Sequence, residues 1–170
     1  GIAVLAEPRP GESWWDVCAG AGGKSLHLQE LAGGRLALWA TDIRDSALHE
    51  CARRTRAAGV TLRLERHDAL QALGPDRLFD GVLLDAPCSG TGTWGRAPDA
   101  RWRLPPESVD RFVRQQAALL RQAARAVKPG GILVYATCAL TDAENGGQLA
   151  AFLAETPDFE PAPFRHPLTV

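Results

Sequence analysis

Five short apolar runs in this chain each end on an acid or a thiol, and helix-like stretches separate them. The runs cover 13–17, 35–41, 60–66, 79–84 and 132–135. Asp16, Asp42, Asp68, Asp85 and Cys138 stand at or just beyond their ends. Short apolar runs bounded by turn residues read as strands, and strands alternating with helical patterns form βαβ units. Their right-handed crossovers build a mostly parallel sheet with helices on both faces. Such a sheet binds ligands at the carboxyl ends of its strands. The pattern therefore predicts an α/β fold with four aspartates and one cysteine along a single edge.

The intervening segments fit that fold. A short helix is expected over 25–31, ended by Gly33-Gly34. Asp45 or Ser46 can cap a second helix, with Leu48, Cys51, Ala52 and Thr55 inward and Gly59 closing it. Ser108 can cap a long helix to Val127 that turns Val109, Phe112, Val113, Gln116, Leu119, Leu120 and Ala123 inward. Residues 93–106 read as a loop and Pro129-Gly130-Gly131 as a turn. Thr141 reads as the cap of a last helix to about Ala154. A further strand is expected over 158–164, and residues 1–6 resemble the tail of a helix.

Two stretches carry chemistry. The first, CAGAGGKS (18–25), joins strand to helix. It lacks the first glycine of a Walker loop, where Cys18 stands, and the third glycine of the dinucleotide fingerprint, where Ser25 stands. A nucleoside or adenosyl loop fits better than a phosphate cradle. Asp42, ending the second strand, can accept ribose hydroxyls, and Asp68 ends the third strand near an adenine. The second stretch is DAPCSGTG (85–92): a carboxylate, then Pro87, which stops strand pairing, then the Cys88 thiol and a small-residue loop. Cys138 lies between an apolar strand and the helix expected after it. A thiol near a helix start can lose its proton more readily, and the thiolate is the nucleophile.

Composition narrows the remaining classes. The formal net charge is −1, so overall charge does not announce a nucleic-acid partner. Of the 19 basic residues only Lys24 and Lys128 are lysines, and arginines crowd 96–125; arginine grips phosphate in a bidentate fork. The four cysteines (18, 51, 88, 138) show no CxxC spacing and the histidines do not cluster with them, so no metal site is expected. Nothing resembles a signal peptide or a membrane span, and free thiols suit a reducing cytoplasm. The chain contains no methionine, which reads as a piece of a longer protein.

DVCAGAGGKS (16–25), LLDAPCSGTG (83–92) and LVYATCALTDAEN (133–145), in this order and spacing, resemble the RNA cytosine-5 methyltransferases of the NOL1/NOP2/sun (Fmu, RsmB-like) family. The likeness runs across nearly all of the chain. It implies a Rossmann-like class I S-adenosylmethionine-dependent methyltransferase domain over 1–170, truncated at both ends and lacking the last antiparallel strand. It implies S-adenosyl-L-methionine as cofactor and RNA (rRNA or tRNA) as partner, with no membrane and no metal. Carried over motif by motif, Cys18, Ala19, Gly20, Ala21, Gly22, Gly23 and Lys24 would wrap the methionine part of the cofactor. Asp42 would hold the ribose, Asp68 would lie at the adenine, and Asp85 would sit between cofactor and cytosine. Cys138 would be the nucleophile, Cys88 the thiol that helps release product, and Lys24 would help position the base. Two departures stand out: Ala21 replaces the family's usual proline, and only Arg96 stands where many members carry two arginines.

The chemistry explains the residue types. Carbon 5 of cytosine is too electron-poor to attack a methyl sulfonium until a thiolate adds at C6. Charge then develops at N3 and O2, so a donor such as a protonated Asp85 would help. A nucleotide-dependent oxidoreductase is a competing reading, but it needs neither thiol. A non-catalytic RNA-binding fragment of the same ancestry is another.

Overall fold

The computed structural model describes residues 2–71, 77–105 and 108–162. Five strands form one sheet: β1 (Ser13–Asp16), β2 (Ala37–Asp42), β3 (Arg63–Arg66), β4 (Phe79–Asp85) and β5 (Val127–Ala136). Their order is β3-β2-β1-β4-β5, and every pairing is parallel. Five helices connect or flank them: α1 (Ile2–Ala6), α2 (Gly23–Leu31), α3 (Asp45–Ala57), α4 (Ser108–Arg125) and α5 (Gly146–Glu155). No described helix is long and apolar enough to cross a membrane.

Consecutive residues of a strand face opposite sides, and this sheet is buried on both. Trp14 and Leu83 join Leu38 and the Ala3, Ala6, Leu28 and Ala32 side chains of α1, α2 and the turn after it. Trp15, Val82 and Leu84 turn the other way. They pack with Trp39, with Leu119, Leu120 and Ala123 of α4, and with Phe152 of α5. Each fully buried leucine contributes roughly 1.5–3 kcal/mol. Gly81 is required where β4 crosses Trp14, because a Cβ there would lie 2.2 Å from the indole.

The strand order reverses at β1. From β1 the chain moves outward through β2 and β3, then crosses back to place β4 on β1's other side. The crevice between β1 and β4 is the switch point at which such sheets receive ligands.

Four expectations are corrected. Pro129-Gly130-Gly131 does not end a turn before the strand; it lies within β5, where the register slips between Phe79 and Gly81 of the partner. β5 is an edge strand, so a proline without an N–H is tolerated there, and Gly130 takes up φ +75°. Val109, Phe112 and Val113, expected inward, are only half-buried, whereas Gln116, Leu119, Leu120 and Ala123 are buried as expected. The helix expected from Thr141 is split into a 3-10 turn (Asp142–Glu144) and α5, and the Thr141 side chain caps no backbone N–H. Its hydroxyl donates instead to the Glu144 carboxylate. Residues 158–162 form no strand, because Phe159 docks edge-on against Phe152 at 5.4 Å; 163 and 164 lie outside the described residues.

Candidate active site at the carboxyl edge of the sheet

The loop after β1 is shaped by its own backbone. Gly20 and Gly22 adopt φ +55° and +77°, a region that side chains resist. Ala19 N–H donates to the Thr41 carbonyl and Gly20 N–H to the Asp42 carboxylate. A Cβ on Gly22 would lie 2.4 Å from the Cys51 sulfur, so α3 presses directly on the loop. Arg54 of α3 donates to the Ala21 carbonyl at 3.0 Å. That bond holds the loop at the position where the resembling family has proline. Cys18 is mostly buried, and burial, followed by the charges of Asp16, Asp42 and Asp85, pushes its thiol up to about 12.

Two aspartates behind this loop differ sharply. Asp16 is fully buried and accepts one bond, from the Ser25 hydroxyl at 2.6 Å; its Oδ1 has no partner among the described residues. Burial raises its pKa to about 7. Asp42 is nearly as buried, yet its carboxyl is held below the usual range. Burial alone would raise it, but Arg44 donates three bonds to it from its backbone N–H and guanidinium, and Gly20 donates a fourth. Asp68 lies beyond β3, half-buried, with its carboxylate accepting the Leu70 N–H in a local turn.

Across the switch point, Lys24 in the first turn of α2 donates to Asp85 at the end of β4, Nζ to Oδ2 2.5 Å. Asp85, expected from sequence as a proton donor, here accepts through Oδ2 from Lys24. Three residues further on, Cys88 meets Cys138, which follows β5. Their sulfurs are 3.1 Å apart, and the Cys138 N–H donates to the Cys88 sulfur at 3.3 Å. Cys138 is exposed and Cys88 half-buried. Burial, together with the hydrogen bond to Cys138, pushes the Cys88 thiol up to about 11. Gly92 allows the approach of the two loops: its N–H donates to the Cys138 carbonyl, and a Cβ there would lie 2.7 Å from that oxygen. Among the described residues no group of three or more His, Cys, Asp or Glu is placed to hold a metal.

A sequence profile described as 16S rRNA methyltransferase RsmB/F matches residues 3–168. The chain belongs to that family. It is similar to the ribosomal RNA small subunit methyltransferase B of Thermus thermophilus, 40% identical over 99% of this chain and 41% of the relative. It is 40% identical to a probable ribosomal RNA small subunit methyltransferase B of Synechocystis, over 96% of this chain and 37% of the relative. The chain thus spans about two fifths of the length of these relatives. The crystal structure of NSun6 from Pyrococcus horikoshii with SFG superimposes with a TM-score of 0.84 at 27% identity, over 91% of this chain and 40% of that one.

In this RsmB/F chain the structure brings together Lys24 with Asp85, Cys88 with Cys138, and Gly20 with Asp42. Arg44, Arg54, Gln116 and Glu144 were not singled out for the site from sequence. Glu144 lies inside the 133–145 motif and, with Asp16, is one of the two fully buried acids among the described residues. An acid three residues after Thr141 signals a capping box, which points the side chain at the backbone rather than into the core.

Proposed function

We propose that the chain is the catalytic domain of an S-adenosylmethionine-dependent RNA methyltransferase that modifies carbon 5 of cytosine through a covalent bond from Cys138 to C6. The observation that carries this reading is the pair of thiols 3.1 Å apart, beside the Lys24–Asp85 pair at the carboxyl ends of β4 and β5. A nucleotide-dependent dehydrogenase of this fold needs neither thiol.

The residues present fit the cofactor. Two glycines at positive φ keep the loop after β1 free of side chains, and Asp42 offers buried carboxylate oxygens beside it. SFG, bound in the NSun6 structure, is an analogue of S-adenosylmethionine. Cys18 to Lys24 would hold the methionine part and Asp42 the ribose diol, which would take the place of the Arg44 guanidinium, an exposed side chain. Asp68 would lie toward the adenine. When bound, the cofactor supplies an electrophilic methyl group on sulfur.

The protein's own groups supply the rest. The Cys138 thiolate forms the S–C6 bond, and the electron pair of the C5–C6 double bond moves onto the ring. The Lys24 ammonium, held by Asp85, is the donor for charge that develops at N3 and O2. After C5 has taken the methyl group, its proton passes to a water, or to a Cys88 thiolate formed once the Cys88 thiol has lost its own proton to solvent; the C5–C6 double bond re-forms and the Cys138 sulfur leaves. Cys88, a protonated neighbour at rest, is within reach of that sulfur throughout.

The test uses the full-length protein with RNA and labelled cofactor. Cys138→Ala should abolish methylation and covalent adducts together. Cys88→Ala should accumulate a protein–RNA band in denaturing gels, because elimination stalls. An adduct that persists in Cys138→Ala and vanishes in Cys88→Ala would reverse the two roles.

A further inference from the structure

Glu144 is fully buried, and its carboxylate accepts four hydrogen bonds. Oε1 receives the Ser89 N–H at 2.8 Å and the Gln116 amide at 3.1 Å; Oε2 receives the Ser89 hydroxyl at 2.5 Å and the Thr141 hydroxyl at 2.8 Å. These donors come from three places: the loop after β4, helix α4, and the loop after β5. Gln116 donates also to the Pro87 carbonyl at 2.9 Å. The peptide groups on either side of Cys88 are therefore both fixed, one by Glu144 directly and the other through Gln116. The next residue serves the opposite thiol. Asn145 donates to the carbonyls of Ala139 and Thr141 and accepts the Thr137 hydroxyl, which brackets Cys138.

A buried carboxylate is costly unless every lone pair is answered, and here four donors answer it. A methyl or amide group would pack in the same space more cheaply. The charge lies where it joins two loops whose other hydrogen bonds, among the described residues, run through Gly92, Thr91 and the thiols themselves.

We infer that Glu144 is a positioning residue that sets the Cys88 sulfur against the Cys138 sulfur, and that with Asn145 it forms a clamp holding the two thiols as one unit. The inference rests on the proposed reaction for its purpose, and on the hydrogen bonds alone for its geometry. Hydrogen bonds from Ser89, Thr141 and Gln116 outweigh the burial that would otherwise raise the Glu144 pKa, so the clamp is a carboxylate at neutral pH. A loop displaced by even 1 Å is enough to slow a positioned reaction about a hundredfold.

The thiol distance can be read without RNA. Phenylarsine oxide condenses with two neighbouring thiols, forming two As–S bonds and releasing one water, and the ring resists competing monothiols. The wild-type chain should retain one arsenic under excess monothiol, and Cys88→Ala or Cys138→Ala should not. Glu144→Ala should release arsenic at least tenfold faster while S-adenosylhomocysteine still binds as tightly as in wild type. Glu144→Gln should stay within about threefold of wild type, since its carbonyl can accept the Ser89 N–H and the two hydroxyls can turn to accept from its amide. Should Glu144→Ala fail to fold, Ser89→Ala removes one of the four bonds and should give a smaller loss of the same kind. Retention of arsenic in a folded Glu144→Ala, or equal loss of arsenic and cofactor binding, overturns the inference. A wild-type protein that traps arsenic but methylates no RNA supports the clamp and overturns the reaction it was taken to serve.

Discussion

The glycine loop and the thiol pair lie along one edge of one sheet, yet different parts of the chain hold them. Backbone shapes the loop: positive φ at Gly20 and Gly22, a carbonyl pinned by Arg54, and a helix pressed against the α-carbon of Gly22. Side chains shape the thiol pair: Glu144, Gln116 and Asn145 reach in from elements that carry no thiol. A site made of backbone fails when a Cβ is added. A site made of side chains fails when one is trimmed.

The largest effect expected from the first half of that contrast is Gly22→Ala. Strain at φ +77° and overpacking against Cys51 each cost about 1–3 kcal/mol, so the loss should reach roughly 4 kcal/mol. Urea titration measures it. Adding Cys51→Ala should restore only the packing part; full restoration would mean that the positive φ is not the constraint. Ala at Ser89 on the thiol side should cost far less stability, although it adds no less change to the local chemistry.

The pH dependence comes next. Asp16 has a pKa near 7 in the folded chain against an ordinary value of 3.8. Between those limits the folded state binds more protons than the unfolded one, so stability falls as pH rises from about 4 to 7 and then levels. The slope is at most about 1.4 kcal/mol per pH unit for one proton. Asp16→Asn should flatten it, as followed by melting temperature across that window. An unchanged slope in the variant would locate the titration elsewhere.

Much of the loop was legible before any coordinates, because glycine at a strand–helix junction leaves a mark in the sequence that follows from sterics. All five strand ends predicted to carry Asp16, Asp42, Asp68, Asp85 and Cys138 fall at the carboxyl edge. The clamp was not legible. Gln116 falls on the inward face already expected for its helix, but its partners there leave no mark in the sequence; Glu144 has the spacing of a capping box, and only packing turns it inward. Nor does spacing reveal that Arg44 already fills the lone pairs of Asp42.

A smaller effect separates Asp42 from Arg44. Asp42→Ala should weaken S-adenosylhomocysteine binding by roughly 1–3 kcal/mol through loss of charge-assisted bonds. Arg44→Ala frees the same oxygens and should not weaken it. Calorimetry that finds both variants equally weak would mean that Arg44 is part of the binding surface. The smallest effect belongs to neither region: Arg121→Ala removes the exposed pair with Glu155 and should shift stability by less than about 1 kcal/mol.

The strand order also sets a schedule. β1 meets β2 after a short crossover, but it meets its other neighbour across a far longer stretch of chain, 67 residues in the bond from Ser13 to Asp80. Closing so long a loop is slow and uphill until its contacts are made. On a ribosome the β1–β2–β3 half emerges first, with one flank of β1 open and waiting. The crevice therefore comes into being only after the first half of the sheet has emerged. Pulse-labelled amide exchange should find β2 protected before β4, and the reverse order would refute this. Until β4 arrives the nascent chain is a half-sheet with an adhesive rim, and every copy passes through that vulnerable interval once before the crevice exists.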